Sequence, residues 1–440
     1  MKVAIVGYGA QGKSTYDYLN LPGNSITICD QNTELVVPEG ATAQLGPNHL
    51  KNLGEFDVIY RAPIVHPRDL VSANGEEILD KVWSNTNEFF KVCPSKNIIG
   101  VTGTKGKGTT STLIAKILEA HGKKVHLGGN IGTPPLEMLK KSIKPDDWVV
   151  LELANFQLID LKFSPKIAVC LMVVPEHQDW HSDMDEYIDA KSQLFIHQET
   201  DDIAIYYDKN DISEDITHAS EGKIIPYFSE PGAVVKDGSI VINDQKICDV
   251  SDVKLLGEHN LQNICAAVTA VWQITQNPEA IKSVIATFTG LPYRLELIRE
   301  LDGVKYYNDS FGTTPETAIV AIEAFSEPIV LIAGGSDKGS DYYKLINKIV
   351  ESNVKHVICI GVTGDKIADL LEGRMSDRCV AYTVFESSDK LSMLQIVQSA
   401  REQAEPHDIV LLSTGSASFG LFQNYKDRGD QFNQEVSKLV

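Results

Sequence analysis

Short apolar runs alternate with amphipathic stretches along the whole chain, the pattern of an α/β fold built on parallel strands. KVAIV (2–6), SITIC (25–29) and FDVIY (56–60) read as strands of a first unit. After Cys93-Pro94 a second set follows, NIIGVT (97–102), 124–128, WVVLEL (148–153) and IAVCLMVV (167–174). Residues 203–250 shift to short β-like pieces separated by Asp, Gly and Asn turns. One helical stretch is expected from about 260 to 289, ending before Leu291-Pro292. A third unit carries strands near 304–308, 328–333, 356–360 and 408–413. The expected domains are therefore 1–92, 93–290 and 291–440, with no internal repeat.

Composition narrows the class. A chain of 440 residues is too long for one core, which agrees with several domains. A net charge of −20 argues against nucleic acid as a partner, although local clusters of Lys, Arg and backbone N–H can still hold a phosphate ligand. No apolar run reaches the roughly 18 residues of a membrane span. MKVAIVGYGA reads as a strand and glycine turn rather than a signal peptide. Seven widely spaced Cys without a CxxC suggest reduced, mostly buried thiols and a cytoplasmic location.

The strongest chemical signal is GTKGKGTTS (103–111), placed between a strand and a helix with Ala, Leu and Ile at helical spacing. A phosphate loop needs that setting: glycines bring backbone N–H groups close, the helix N-terminus favours anions, and Lys107 reaches the outer phosphates. The strict pattern is broken by Val101 and Gly108, so Thr109 must supply any hydroxyl for magnesium. GYGAQG (7–12), with Asp30 closing the next strand, has the dinucleotide-binding form. Asp30 would suit a ribose hydroxyl of a dinucleotide or of a uridine nucleotide, and a ligand-free tight turn is the plain alternative. Glu152 and His177 fall at the carboxyl ends of successive strands beside the phosphate loop, where a carboxylate and an imidazole can hold Mg²⁺. Lys191, on a helix, reads by itself as a solvated residue.

Taken together these segments resemble the Mur ligases, and the resemblance spans almost the whole chain. GTKGKGTT looks like that family's ATP loop and ELANFQ (152–157) like its ELSSFQL motif. GEHNLQN (257–263) resembles GxHNxxN, while LPYRLE (291–296) and YNDS (307–310) resemble segments that open the third domain. GGSDKGSD (334–341), NDS…TTP (308–315) and the tail LSTGSASFGLFQNYKDRG (412–429) are similar to the branch that joins D-glutamate. Four departures stand out: Ala154-Asn155 for Ser-Ser, Glu176 for Asp, Phe311 for Lys, and Arg61-Ala62-Pro63-Ile64 for an SPG turn.

The resemblance implies a three-domain α/β enzyme: a Rossmann-like N-terminal unit for a UDP-nucleotide, a P-loop-type ATPase centre, and a Rossmann-like C-terminal domain for an amino acid. It implies ATP-dependent joining of D-glutamate to UDP-N-acetylmuramoyl-L-alanine through an acyl phosphate, in bacterial cell-wall synthesis. ATP would lie on Gly103, Thr104, Lys105, Gly106, Lys107, Gly108, Thr109, Asn260, Asn263 and Asp309, with Arg294 drawing charge from the γ-phosphoryl. Two Mg²⁺ would be held, one by Thr109 and Glu152, the other by His177 and a carbamylated Lys191. The nucleotide-sugar would face Ala10, Gln11, Asp30, Asn130 and Gln157, and D-glutamate Thr313, Lys338, Ser418 and Tyr425. A monomer without membrane insertion is expected. Two rivals are another ligase of the superfamily, adding L-alanine or acting as a folylpolyglutamate synthase, and a nicotinamide-dependent dehydrogenase using the first glycine motif.

Overall fold

A computed structural model describes residues 1–255, 257, 259–374, 379–385 and 391–440. The chain divides into two compact units, Met1–Lys254 with Glu258–Phe288, and Leu255–Gly257 with Thr289–Val440. The first unit contains two parallel sheets and the second a single mixed one.

The N-terminal sheet has the spatial order Thr42–Leu45, Ser25–Asp30, Lys2–Val6, Val58–Arg61, Val82–Ser84, all parallel. The strand order reverses between Lys2–Val6 and Val58–Arg61, so a crevice opens at the carboxyl ends of those two strands. Gly7 lines it at φ +86°, and a Cβ there would stand 2.7 Å from Ala62 Cβ. This close approach is what requires glycine in the first turn.

The central sheet runs Lys223–Tyr227, Ile203–Tyr207, Ile167–Cys170, Ile98–Thr102, Trp148–Glu152, Val125–Gly129, again all parallel. Ile98–Thr102 and Trp148–Glu152 are buried at every position, which explains their unbroken apolar runs. Three short antiparallel strands, Val234–Lys236, Ser239–Ile242 and Gln245–Asp249, account for the turn-rich stretch.

Expectation and structure part in places. The single helix foreseen over 260–289 is two, His259–Trp272 and Pro278–Ile285. Asn277 accepts from Ala280 N and Pro278 takes the first turn, a helix start written in the sequence itself. The strand expected over 167–174 stops at Cys170. Thr42–Leu45, Val82–Ser84, Glu296–Leu301 and Ala381–Val384 were not foreseen. All are outermost strands, where one ladder partner suffices and the apolar pattern is weak.

In the second unit the order is Glu296–Leu301, Val304–Asn308, Ile409–Leu412, Ile329–Gly334, Val354–Ile360, Ala381–Val384, with only the first pair antiparallel. Six cysteines are buried and Cys379 is exposed, all as free thiols. Among the described residues no helix is long and apolar enough to cross a membrane.

Candidate functional site

Register places the loop and the carboxylate side by side. Val101 pairs with Glu152, and Thr102 with Cys170, so the loop after residue 102 emerges between the ends of two neighbouring strands. Gly106 caps the helix Lys107–Ala120 with φ +87°, and a Cβ there would lie 2.1 Å from Asn263 Oδ1. Asn263 therefore leans on the loop itself, and its amide donates to Asn260 Oδ1 at 2.8 Å. Both belong to the GEHNLQN segment expected to carry ATP, within which Glu258 lies outside the described residues.

Lys107 Nζ donates to the Gly103 and Thr104 carbonyls, 3.1 and 2.9 Å away. Lys191 Nζ donates to the same Gly103 carbonyl at 3.0 Å and sits 4.4 Å from the centre of the Tyr187 ring. The solvated reading of Lys191 is thus wrong: the side chain has no exposed surface. Burial, reinforced by the Lys107 charge, pulls its pKa down to about 7. Tyr187 OH lies 3.0 Å from Thr104 Oγ1, so the helix Met184–Ser192 is tied to the loop by two of its residues.

Glu152 ends its strand, is buried, and accepts from Asn130 Nδ2 at 2.8 Å through Oε1. A carboxylate suits a hard divalent cation, and this one is held by a single side-chain amide among the described residues. An ammonium at Lys191 does not suit one; only a carbamate there would. His177 takes φ +58°, its ring lies 4.7 Å from that of Phe156 at a tilt of 57°, and Nε2 lies 3.6 Å from Glu176 Oε2. Burial outweighs Glu176 and, with Lys107 and Lys191, lowers the imidazole pKa, favouring the neutral form that can ligate.

The expected nucleotide-sugar residues sit in the same unit. Ala10 and Gln11 open the helix Ala10–Leu19 at the crevice. Asp30 accepts from Tyr8 N at 2.8 Å and Asn32 N at 2.9 Å, so it braces the glycine turn. Gln157 is buried, accepts from Ala154 N at 3.0 Å, and leaves Nε2 without a hydrogen-bond partner.

A further cluster, unforeseen, joins His66, His181 and Glu186, whose ligand atoms lie within 4.8 Å of one another. His66 Nδ1 accepts from Arg68 N at 3.1 Å, which puts its proton on Nε2, 3.3 Å from Glu186 Oε1. His181 Nε2 lies 2.7 Å from Asn155 Nδ2, which puts its proton on Nδ1, 3.2 Å from Glu186 Oε2. Burial lowers both imidazole pKa values. For Glu186 burial acts upward, but the Ser182 N–H and His66 bring the carboxyl below its ordinary value. His181 turns its Nδ1–H toward the carboxylate, whereas His66 Nε2, though 3.3 Å from it, is buried without a hydrogen-bond partner.

In the second unit, Asn308 pairs with Leu412 and Ile332 with Leu412, so residues 309–313, 335–338 and 413–418 leave one sheet edge together. Asp309 is buried, accepts from Ser413 Oγ at 2.7 Å and Leu295 N at 3.2 Å, and burial raises its pKa to about 7. Ser418 is buried and Thr313 half-buried; Lys338 is exposed, with Nζ 5.5 Å from the Phe419 ring centre. Tyr425 meets Phe311 edge-on at 5.1 Å, and Arg294 lies 3.9 Å over the Phe311 ring. Phe311, the departure from Lys, thus receives a cation on its face. Arg428 was given no role from sequence, yet it is fully buried and donates to Ser310 Oγ, Ser310 O and Ser416 O.

Comparison with known proteins gives the family. Residues 101–271 match the Mur ligase middle domain and 293–416 the Mur ligase, glutamate ligase domain. A UDP-N-acetylmuramoylalanine--D-glutamate ligase of Clostridium novyi is 34% identical, covering 100% of this chain and 97% of its own. One of Acetivibrio thermocellus is 35% identical, covering 100% and 96%. A UDP-N-acetylmuramate-alanine ligase structure from Thermotoga maritima is 14% identical with a TM-score of 0.58 over 99% of each chain, a likeness of fold. The protein is a three-domain α/β member of the Mur ligase family, a group of ATP-dependent ligases.

Proposed function

We propose that this ligase adds D-glutamate to UDP-N-acetylmuramoyl-L-alanine in the cytoplasm, acting as a monomer in peptidoglycan precursor synthesis. The reaction is supported above all by one convergence: the phosphate loop, Glu152 and buried Lys191 at the carboxyl edge of a single parallel sheet. The choice of substrates is supported by full-length likeness to relatives named for that reaction. Functional domains are assigned as 1–92 for the UDP-nucleotide, 93–290 for ATP and 291–440 for the amino acid.

A carboxylate cannot acylate an amine directly, because its oxygen is a poor leaving group. The γ-phosphoryl of ATP passes to the alanyl carboxylate and ADP leaves. The D-glutamate amine then attacks the acyl carbon, the C–O bond to phosphate breaks with its electron pair, and the amine proton is lost. Such transfer depends mainly on positioning and charge neutralisation. Lys107 and the amides of residues 103–109 hold phosphate oxygens, Arg294 draws γ-phosphoryl charge, and Asn260, Asn263 and Asp309 hold base and ribose. Two Mg²⁺, one on Glu152 and Thr109 and one on His177 and carbamylated Lys191, would neutralise phosphate charge. The neutral Lys191 amine adds to the carbon of CO₂ and loses a proton, turning a cation into an oxygen donor. Ala10, Gln11, Asp30, Asn130 and Gln157 face the nucleotide-sugar; Thr313, Lys338, Ser418 and Tyr425 face D-glutamate.

The test is ADP release measured against a panel of UDP-muramoyl acceptors, dihydrofolate and amino acids. Turnover with UDP-N-acetylmuramoyl-L-alanine and D-glutamate is expected. A preference for UDP-N-acetylmuramate with L-alanine, or for a folate with glutamate, would overturn the assignment.

A further inference from the structure

Two of the four departures from the family pattern, Arg61 and Asn155, lie 94 positions apart and meet at one short helix, Asn155–Leu158, Arg61 from outside and Asn155 as its first residue. Arg61 ends the strand Val58–Arg61 and is 2% exposed. Its Nε donates to Asp160 Oδ2 at 2.6 Å and one terminal nitrogen to Asp160 Oδ1 at 2.5 Å. Both terminal nitrogens also donate to the Phe156 carbonyl at 3.1 Å. One of them reaches back to Pro63 O at 3.3 Å and Val65 O at 3.2 Å, so the loop that departs from the SPG turn is wrapped round the guanidinium.

The second arm starts from the same loop. His66 faces Glu186, Glu186 faces His181, and His181 Nε2 meets the Asn155 amide. Trp180 closes the gap: Nε1 donates to Ile64 O at 2.9 Å, and its ring lies 4.2 Å from His66 and 4.8 Å from Phe156. A four-residue helix cannot satisfy its own ends. Here a guanidinium takes one of its carbonyls and an imidazole its first side chain.

Between these two grips sits Gln157, 1% exposed, with Nε2 unpartnered. An unsatisfied buried donor is costly, so a rigid frame must hold it there in the absence of an acceptor. We propose that Arg61, through Asp160 and the Phe156 carbonyl, is a positioning residue that aims the Gln157 amide at an oxygen of the nucleotide-sugar acceptor. The proposal rests on the nucleotide-sugar reading above and adds a residue that never touches the substrate.

Calorimetry on the full chain, with UDP-N-acetylmuramoyl-L-alanine and separately with a non-hydrolysable ATP analogue, tests this. Arg61→Lys keeps the charge but not the fork; Asp160→Asn keeps the shape but not the charge. Each, shown folded by melting, is expected to weaken nucleotide-sugar binding roughly tenfold, with ATP analogue affinity within about twofold of wild type. In a Gln157→Ala background neither substitution is expected to weaken it further, because Arg61 acts through Gln157. Nucleotide-sugar affinity unchanged in either folded variant overturns the proposal. Equal weakening of both ligands, or full additivity with Gln157→Ala, also overturns it by showing general loosening. If wild type binds the ATP analogue but no nucleotide-sugar, the acceptor reading falls, and this inference falls with it.

Discussion

Lys191 Nζ donates to the Gly103 carbonyl at 3.0 Å from a side chain with no exposed surface. A fixed ammonium there would add a second cation beside Lys107, and burial with that neighbour brings its pKa to about 7. Near neutral pH a large share is therefore free amine, the form that takes up CO₂. Lys191→Ala should abolish ADP release, and mass spectrometry or ¹³C NMR under labelled CO₂ should find a carbamate on wild type. Stability gives a second reading. The folded pKa lies below the ordinary 10.5, so the unfolded chain binds more protons between about 7 and 10.5 and stability rises with pH there. Lys191→Met should flatten that rise, as followed by melting across pH; an unchanged profile would contradict the burial argument.

Lys107→Ala should leave the fold intact and stop turnover. The lysine makes two hydrogen bonds to loop carbonyls, each worth about 1 kcal/mol net, a small part of the stability of a chain this size. The alanine removes the cation proposed to hold the outer phosphate oxygens. ADP production should fall by orders of magnitude while the melting curve shifts by a few degrees. Near-normal activity would remove the phosphate loop from the mechanism.

Glu152→Gln separates charge from shape. The amide oxygen can still accept from Asn130, so folding should be unaffected. Losing a hard anionic ligand is expected to lower turnover by roughly 10²–10³-fold. Added magnesium should not restore it, and a variant active at low magnesium would refute the metal role.

The phosphate loop and the strands flanking it were legible because a buried parallel sheet demands unbroken apolar runs, and glycine is forced where Gly106 meets Asn263. Lys191 was misread because helical spacing says nothing about which loop covers a face. The Arg61–Asp160 pair spans 99 positions and the Arg428–Ser310 contact 118, and no local pattern encodes partners so far apart. The outermost strands escaped for a related reason: TAQL and AYTV carry little apolar pattern, and their pairing is decided by the neighbouring strand. The break at Asn277-Pro278 is local in origin, a side-chain cap followed by a proline in the first helical turn.

Substrate choice rests on the second unit. D-Glutamate carries two carboxylates, and Lys338 is an exposed cation at the same sheet edge as Ser418. A charge-assisted hydrogen bond is worth about 1.5–3 kcal/mol, or roughly 10- to 150-fold in affinity. Lys338→Ala should raise the KM for D-glutamate by that factor and leave the KM for ATP nearly unchanged. Steady-state kinetics with each substrate varied in turn would show it; equal effects on both would contradict the assignment.

Asp309 predicts an opposite pH response. Its pKa is raised from 3.8 to about 7 because burial outweighs the Ser413 hydroxyl, the Leu295 N–H, Arg294 and Arg428. Between those values the folded chain binds a proton that the unfolded chain has released, so its contribution to stability is full below about 3.8 and fades as pH rises through about 7. The difference amounts to something on the order of 4 kcal/mol. Asp309→Asn holds the neutral shape at every pH, so the second unit of the variant should lose stability less steeply from pH 5 to 8. Hydrogen exchange at Leu411 and Leu412, in the strand beside Asp309, localises the response to this unit. The same substitution should weaken ATP binding if the carboxylate holds the ribose, because an amide offers one acceptor in place of two. Parallel pH profiles for wild type and Asp309→Asn would place the titration elsewhere, whereas a flatter variant profile with unchanged ATP affinity would leave Asp309 a structural carboxyl and take the ribose from it.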